Sequence, residues 1–191
     1  NTLFLTPSIV AFLCAIYKKP KPEIKKHVHG YESIIATGSY LYTEVRKSFY
    51  KIFKKNIFAC YGATELVGPL ALQGEEDTFE DFCVGRHGNG VKILIKKDKD
   101  GSNIIMVKSP FFMKGYVTKK GYEPPKSCDG YYDTGDIGDY KKNLLYIKGR
   151  KRDIIKKGGE LIFLSLIENT ALQSGLILES AAIGKKDLIA G

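Results

Sequence analysis

The sequence contains no tryptophan, two methionines and no apolar run of the length that a membrane-spanning helix needs. A helix crosses the hydrocarbon core of a bilayer only with about 20 consecutive apolar residues. The first residues, Asn1 to Leu5, also lack the basic residue and the small-residue cleavage site of a secretory signal. These absences predict a soluble, cytoplasmic protein without a transmembrane segment.

Arginine is scarce in a chain that is otherwise strongly basic. The net charge is +9, from 30 lysines and arginines against 21 acidic residues, yet arginine occurs only at Arg46, Arg86, Arg150 and Arg152. Proteins that bind nucleic acids favour arginine, because its planar fork matches phosphates and base edges. The dispersed lysines therefore predict a solvated surface that favours polyanionic ligands, and we expect no nucleic-acid partner.

Cysteine is also sparse, and its spacing excludes two further classes of protein. The four cysteines are far apart and form no C-x-x-C pair, which argues against a zinc site and against a disulfide framework. A reducing compartment fits this pattern. The 191 residues, with 43% hydrophobic and 27% charged side chains, are typical of a globular protein of one large domain or two unequal pieces.

The first third of the chain predicts a helix, then a strand, a helix and a strand. Thr6-Pro7 suits a helix start, and apolar residues follow it at helical spacing. Residues 18–30 are rich in proline and lysine and predict a connection. An apolar run at 33–36, an amphipathic segment at 43–55 and an apolar run at 57–60 then predict strand, helix and strand. Such a unit almost always forms a parallel pair with a right-handed crossover.

Small and polar residues follow both strands of this unit. Thr37-Gly38-Ser39 follows the first strand, and Tyr61-Gly62-Ala63-Thr64-Glu65 follows the second. Open parallel sheets bind ligands at the carboxyl ends of their strands, where loops converge with exposed backbone amides. The two segments are therefore predicted to share one site.

The segment from Tyr61 to Glu65 carries groups that suit a nucleotide. Gly62 allows a close approach of the backbone, the Thr64 hydroxyl could bond a phosphate oxygen, and the Glu65 carboxylate could hold a hard cation. The Tyr61 ring could stack on a nucleobase. The same residues also suit a plain strand-to-helix turn capped by Thr64, and both interpretations stay open at this point.

The pattern of apolar and turn-forming residues changes from about residue 81. Short β-branched runs at 91–95, 104–107 and 144–147, separated by Asp, Gly and Asn turns, predict a small antiparallel sheet or barrel. A polar loop is predicted at 133–136. A capping box formed by Ser165 and Glu168 predicts a helix start, and residues 177–183 predict a strand.

Three further candidates lie in this second part of the chain. Asp136, after a glycine turn, could accept hydrogen bonds from both hydroxyls of a ribose, or it could belong to a surface turn. Arg150 could reach a phosphate or a ribose from the end of a strand, or lie in a basic surface loop. Lys156 with Gly158 and Gly159 could line a narrow passage or form a turn.

Taken together, these segments resemble those of the adenylate-forming superfamily, which contains acyl-CoA synthetases, adenylation domains of peptide synthetases, and luciferase. The resemblance rests on YGATE at 61–65, YDTGD at 132–136 and GRKRDIIKKGG at 149–159, in this order and at these separations. ATGSYL at 36–41, VGR at 84–86 and SPFFMKGY at 109–116 are similar to further signatures of the family. The resemblance extends from about residue 30 to the end of the chain.

The resemblance implies an α/β fold in three pieces. Residues 1–80 would be a parallel βαβ piece of a large N-terminal domain. Residues 81–150 would form a small antiparallel β-barrel. Residues 151–191 would be the hinge and the beginning of an α+β C-terminal lid domain.

The resemblance also implies a role for each candidate residue. In the first conformation, Thr64 would touch ATP phosphates, Glu65 would hold Mg²⁺, and Asp136 would bind the ribose hydroxyls with help from Arg150. The adenine would stack on Tyr61 beside Gly38, Ser39 and Gly62. The lid would turn about Arg152, after which Lys156, Gly158 and Gly159 would face the acyl-adenylate and the incoming thiol.

The function implied is that of an ATP-dependent carboxylic acid ligase. A small-molecule carboxylic acid would react with ATP to form an acyl-adenylate and pyrophosphate, and the acyl group would pass to a thiol such as coenzyme A. A carrier-protein arm is the alternative acceptor. ATP or AMP, Mg²⁺ and coenzyme A are therefore the expected ligands.

The sequence also departs from the family pattern. It contains neither the Ser/Thr- and Gly-rich phosphate loop nor the lysine that activates the first half-reaction, so we expect the chain to be part of a longer ligase and inactive alone. A degenerate or split protein is the alternative. The family run I-x-P-x-E-I-E appears at 162–168 without its proline and its first glutamate. These changes affect the prediction of substrate and thiol, and not that of the fold.

Two hypotheses from other classes compete with this interpretation. The single Asp133-Thr134-Gly135 could belong to a dimeric aspartic protease, which needs two carboxylates sharing a proton. The lysines could instead make the chain a non-catalytic basic module that binds RNA or an acidic partner. Binding of ATP or AMP at Asp136 separates both from the ligase hypothesis.

Overall fold

A computed structural model describes residues 1–185 except residues 78, 126, 159, 175 and 178. The helices are α1 (Pro7–Ile16), α2 (Pro22–His29), α3 (Thr43–Phe53) and α4 (Leu164–Gln173). The strands of the first half are β1 (Thr2–Leu5), β2 (Ser33–Ala36), β3 (Phe58–Ala63), β4 (Gly68–Leu72), β5 (Cys83–His87), β6 (Lys92–Lys97) and β7 (Asn103–Lys108). Those of the second half are β8 (Tyr116–Thr118), β9 (Gly121–Glu123), β10 (Ser127–Cys128), β11 (Tyr131–Lys141), β12 (Leu144–Arg150), β13 (Ile154–Lys157) and β14 (Glu160–Phe163).

The predicted strand–helix–strand unit is present as β2, α3 and β3. Strands β2 and β3 are parallel, with Ile35 opposite Phe58, and β1 adds a third parallel strand on the other side of β2. The apolar faces of α1 and α3 cover this sheet because Val10, Phe49 and Phe53 are almost fully buried there. The start of α1 is also as predicted, since the Thr6 hydroxyl accepts a hydrogen bond from the Ile9 amide.

Strand β3 joins this parallel part to an antiparallel part. Its first residues pair with β2 in parallel, and residues from Cys60 to Ala63 pair with β4 in an antiparallel sense. The sheet continues in the order β4-β5-β12-β11-β7-β6, and β10 pairs with β11. A second apolar core, with Leu145, Ile105 and Val107 at its centre, lies along this antiparallel part. The predicted α/β fold with an antiparallel region is confirmed.

The predicted β-barrel is an open sheet, which corrects that part of the expectation. Among the described residues, the path of paired strands ends at β6, which is hydrogen-bonded to β7 only. Lysines at 92, 96 and 97 lie on this edge strand. Charged side chains on an edge strand oppose further pairing, which explains why the sheet ends there.

Three local predictions are wrong, and the contacts explain each of them. Residues 18–30 contain α2, because Pro22 begins a helix whose Ile24 and Val28 pack on the first core. Residues 133–136 lie inside strand β11 instead of a loop. Glu168 caps no helix, because its carboxylate accepts hydrogen bonds from the Tyr42 hydroxyl and the Ala182 amide.

The remainder of the chain forms a hairpin and a helix beside the main sheet. Strands β13 and β14 pair with each other, and α4 contacts both β12 and α3. The described residues between 176 and 185 contain no strand, so the strand predicted at 177–183 is wrong for them. None of the described helices has the length and apolar character that a bilayer crossing requires. The division into three pieces at residues 80 and 150 stays a prediction.

Candidate functional site

A cavity of about 620 Å³ lies where β3, β11, β12 and α4 meet the loop after β2. We call it the large cavity. The residues predicted from sequence that line it are Gly38, Ser39, Tyr61, Gly62, Asp136, Arg150 and Arg152. The fold thus brings together residues from four separate segments of the chain around one space.

Asp136 is bound by two of these residues. The pairing of β11 with β12 sets Asp136 directly opposite Arg150, whose Nε lies 3.1 Å from Asp136 Oδ1. The Tyr61 hydroxyl, from β3, donates a hydrogen bond of 2.5 Å to Asp136 Oδ2. Both carboxylate oxygens therefore have a donor, as a carboxylate that is only 3% exposed requires.

Burial dominates the electrostatics of this group. It raises the pKa of Asp136, although the Tyr61 hydroxyl and the Arg150 charge both act to lower it. Burial and the neighbouring Asp136 charge raise the pKa of Tyr61 in turn, so its hydroxyl stays a donor at physiological pH.

The backbone around Asp136 shows why the sequence Asp-Thr-Gly-Asp is suited to this position. The register of β11 against β7 shifts between Asp133 and Ile137, where Gly135 adopts φ +69°. The Thr134 hydroxyl donates to the Ile105 carbonyl and accepts from the Asp136 amide, at 2.8 and 3.1 Å. These bonds fix an irregular strand segment that turns the Asp136 side chain inward.

Thr64 and Glu65 lie just beyond the end of β3, in a single 3₁₀ turn at Thr64–Leu66. The Glu65 carboxylate accepts a hydrogen bond of 2.8 Å from the Tyr116 hydroxyl. Its own backbone amide, and more weakly Tyr116 and the charge of Arg150, keep the pKa of Glu65 below its usual value. Glu65 is therefore ionised and within electrostatic reach of the residue that pairs with Asp136.

The surroundings of Glu65 suit a magnesium ion that is held largely by a ligand. No group of three or more His, Cys, Asp or Glu side chains around a common point occurs in the described part of the chain. Mg²⁺ is usually bound by one or two carboxylates together with substrate phosphates and water, and not by a cage of protein ligands. The one ionised carboxylate of Glu65 could supply the protein's share of such a set of ligands.

Thr64 lines a second, smaller cavity on the other side of β3. This small cavity has a volume of about 430 Å³ and is lined by Phe4, Thr37, Cys60, Gly62, Ala63, Thr64, Gly68 and Pro69. Its lining includes no charged side chain. Cys60 and Gly62 line both cavities, so a single strand separates them. A side chain at Gly62 would come within 2.5 Å of the Gly68 carbonyl oxygen, so only glycine fits there.

The residues predicted to act in a second conformation are spread over the segment after Arg150. Arg152 lies in a 3₁₀ turn at Lys151–Asp153 and lines the large cavity. Lys156 is exposed on β13 and lines none of the cavities described here. Gly158, with φ +58°, lies at the turn between β13 and β14. Gly159 lies outside the described residues. Their predicted roles stay predictions.

Sequence reasoning missed an aromatic and charged wall of the large cavity. Tyr40 stacks on Phe82, with ring centroids 5.1 Å apart, and Arg46 and Glu168 line the same cavity. Tyr40 immediately follows the small-residue segment at 37–39, which was the one available signal, and Arg46 lies on the helix after it. Phe82 and Glu168 come from distant segments, and no local pattern connects them with the site.

The curated relatives of this chain are CoA ligases. The 2-succinylbenzoate–CoA ligase of Arabidopsis thaliana is 27% identical over 212 residues, which cover 97% of this chain and 38% of the relative. The ligase of the same name from Lactococcus lactis is 36% identical over 135 residues, which cover 69% of this chain and 28% of the relative. The chain thus spans well under half the length of these relatives.

A solved structure gives the same answer for the fold. The anthranilate CoA ligase AuaEII, solved in complex with anthranoyl-AMP, matches 99% of this chain and 37% of its own with a TM-score of 0.80, at 17% sequence identity. No model of a known protein family matches the chain. The motifs, the relatives and the fold agree, and the chain belongs to the adenylate-forming superfamily as a part of a CoA ligase-like sequence.

Proposed function

We propose that this chain supplies the nucleotide-binding part of an ATP-dependent ligase that joins a small carboxylic acid to coenzyme A. The observation that carries the proposal is the meeting of Tyr61, from β3, with Asp136 and Arg150, from the β11–β12 pair, at the large cavity. The CoA ligases among the relatives support coenzyme A as the acceptor. They favour it over a carrier-protein arm.

In this proposal, Asp136 accepts hydrogen bonds from the two ribose hydroxyls. A buried carboxylate whose partners are a hydroxyl and a half-exposed guanidinium can exchange one of them for a ligand hydroxyl at low cost. Arg150 then remains beside the ribose and phosphates as a positive charge. Tyr61 and the backbone at Gly38 and Ser39 border the base.

The acid would occupy the small cavity, with Thr64 between it and the phosphates. The carboxylate oxygen of the acid forms a bond to the α-phosphorus of ATP, and the bond from that phosphorus to the pyrophosphate oxygen breaks. Negative charge develops on phosphate oxygens, so the protein mainly has to position groups and neutralise charge. The Thr64 hydroxyl and Mg²⁺ held by Glu65 would do this here.

The second step transfers the acyl group from the adenylate to the thiol, and AMP leaves. We propose that the segment after Arg152 turns between the two steps, because Lys156 and Gly158 do not line the large cavity in the present arrangement. Such a rotation brings new residues to the adenylate and excludes water from it. Gly159 would move with them.

Calorimetric titration of this chain with AMP tests the proposal. We expect binding by the parent chain, and about a hundredfold weaker binding by Asp136→Asn, because charge-assisted hydrogen bonds to the ribose are lost. Asp139→Asn is the matched control, since Asp139 lies on the same strand and does not itself line the large cavity. We expect its affinity for AMP to equal that of the parent.

An absence of AMP binding by the folded parent chain would contradict the proposal. The complete natural protein then allows the reaction to be tested. We expect it to catalyse exchange of pyrophosphate into ATP only with a suitable acid, and a panel of carboxylic acids would identify that acid.

A further inference from the structure

The inner wall of the large cavity contains a buried cation that the proposed mechanism does not use. Arg46 lies in the first turn of α3 and lines this cavity. Its Nη1 atom is shielded from solvent and has no hydrogen-bond partner among the described residues. A buried donor without a partner is costly, and native proteins usually satisfy such groups with protein, water or ligand atoms.

The surroundings of Arg46 hold the guanidinium in place without satisfying this atom. The Phe79 ring packs against it, with the guanidinium carbon 4.9 Å from the ring centroid. Asp81 lies nearby but already accepts hydrogen bonds from the Thr43 hydroxyl and the Asn169 amide. Burial lowers the pKa of Arg46 to about 10, so the side chain is still a cation at neutral pH.

The rest of this wall is flat and aromatic. The rings of Tyr40 and Phe82 are stacked at an interplanar angle of 23°, and the Tyr42 ring meets Tyr40 edge-on at 4.9 Å. All three residues line the cavity. Such a surface favours a planar, heteroaromatic ligand group.

The charges around Arg46 favour a neutral acceptor over an anion. The negative charge of Asp81 acts on Arg46, and the Glu80 carboxylate lines the cavity. Both charges would repel a phosphate or a carboxylate brought to Nη1. A ring nitrogen or a ring carbonyl carries an acceptor lone pair without a full charge. A nucleobase combines that acceptor with the planar shape.

We propose that Arg46 donates a hydrogen bond from Nη1 to an acceptor atom of the nucleotide base and thereby determines affinity for the base. This inference rests on the proposed function of the large cavity as a nucleotide site. Arg46 would contact the base, whereas the residues of the proposed function bind the ribose. The base would lie between the Tyr40 side of the cavity and Tyr61, with Asp136 at its ribose end.

The test compares AMP with ribose 5-phosphate, which has the same sugar and phosphate but no base. Arg46→Met replaces the guanidinium by an apolar side chain and removes its donors. We expect this variant to bind AMP about tenfold to a hundredfold more weakly, the effect of one charge-assisted hydrogen bond, and to bind ribose 5-phosphate like the parent. Competition against a fluorescent AMP analogue measures both affinities.

Lys47→Met is the matched control, because Lys47 is the next residue on α3, is exposed and pairs with Glu44. Neither affinity should change in this variant. Circular dichroism and urea unfolding show whether Arg46→Met is folded. If it is not folded, Arg46→Lys is tested instead, because lysine keeps the positive charge on a shorter side chain. We again expect weaker binding of AMP and unchanged binding of ribose 5-phosphate.

The outcomes separate this inference from the proposed function. Unchanged AMP affinity in a folded Arg46 variant would overturn the inference and leave the function standing, since water would then satisfy Nη1. An equal loss for AMP and ribose 5-phosphate would also overturn it, because Arg46 would then support the cavity as a whole. No AMP binding by the parent chain would overturn the proposed function itself.

Discussion

Asp136 and Glu65 are two carboxylates with similar partners and opposite electrostatics. Each accepts a hydrogen bond from a tyrosine hydroxyl, at 2.5 Å from Tyr61 and at 2.8 Å from Tyr116. The positive charge of Arg150 also acts to lower the pKa of each carboxylate. Yet the pKa of Asp136 is raised and that of Glu65 is lowered, so the partners alone do not decide the direction.

Burial decides the direction of the pKa shift. Asp136 lies inside an irregular strand segment and is almost fully buried, so its charged form is penalised. Glu65 lies in a surface turn, where its own amide and solvent support the charge. Under the proposed function, the buried Asp136 carboxylate would accept hydrogen bonds from neutral hydroxyls. The ionised Glu65 carboxylate, at the surface, would bind a metal ion. Four changes to the chain would test this contrast between the two carboxylates.

Gly138→Ala should have the largest effect on the free energy of unfolding. It displaces the strand that carries Asp136 and does not disturb the turn that carries Glu65. A Cβ atom at Gly138 would lie 1.8 Å from the Tyr146 carbonyl oxygen on β12. Relieving that clash must move β11 against β12, at a cost of about 3 kcal/mol or more in the free energy of unfolding. Urea unfolding measures it, and Gly88→Ala, where a Cβ meets nothing within 4 Å, should change little.

Tyr61→Phe should destabilise the chain more than Tyr116→Phe does. The first change leaves a buried oxygen of Asp136 without its donor, which costs about 1–3 kcal/mol in the free energy of unfolding. The second exposes Glu65 to water, which replaces the lost donor, and should cost about 0.5–1 kcal/mol. Equal losses in urea unfolding would show that burial does not distinguish the two sites.

Arg150→Met removes the charge that both carboxylates share. The Arg150 side chain is 53% exposed, so its ion pair with Asp136 should contribute less than about 1 kcal/mol to the free energy of unfolding. Raising the salt concentration should reduce the difference between variant and parent, because exposed charges are screened. A loss that is several times larger and independent of salt would mean that the pair is effectively buried.

The smallest effects concern the pH dependence of stability, and they should differ in sign. Raising the pKa of Asp136 in the folded state makes its carboxylate a cost that grows as pH rises through the folded pKa. Lowering the pKa of Glu65 gives a stabilisation that is present above the unfolded pKa and is lost as pH falls through the folded one. Unfolding free energies of Asp136→Asn and Glu65→Gln across mildly acidic pH should therefore diverge from the parent with opposite slopes.

If the unfolding free energies of both variants departed from that of the parent with the same sign of slope against pH, the environments of Asp136 and Glu65 would be alike. Asp139→Asn serves again as a comparison on the same strand, because the Lys148 ammonium lowers the pKa of Asp139. Its slope should have the sign of Glu65→Gln.

The sequence was sufficient to nominate several residues that line the large cavity, because their types and order are distinctive. Gly38 and Arg150 lie at strand ends that the pattern of apolar runs already located, whereas Asp136 was nominated by its motif and lies inside β11. The parallel pair of β2 and β3 followed from the same pattern. What the residues could not give was which of them touch, since the bond from Tyr61 to Asp136 joins positions 75 residues apart.

The wrong predictions share a physical cause, which is competition from tertiary contacts. Glu168 suits a capping box locally, but Tyr42 and Ala182 compete for its carboxylate. The Asp-Thr-Gly-Asp segment suits a turn locally, but its Thr134 hydroxyl is bonded to the neighbouring strand. The open sheet could not be inferred from sequence, because short strands with turn signals suit a sheet and a barrel equally.

Strand β3 has a consequence for how specificity could evolve in this protein. Its backbone is held by β2 at one end and by β4 at the other, and Cys60 and Gly62 face a space on each side of it. Because β3 is hydrogen-bonded at both ends, it keeps its position when side chains that line only one of the two cavities are replaced. Under the proposed function, replacements at Phe4 or Thr37 would then alter the choice of acid while the recognition of the nucleotide is inherited unchanged.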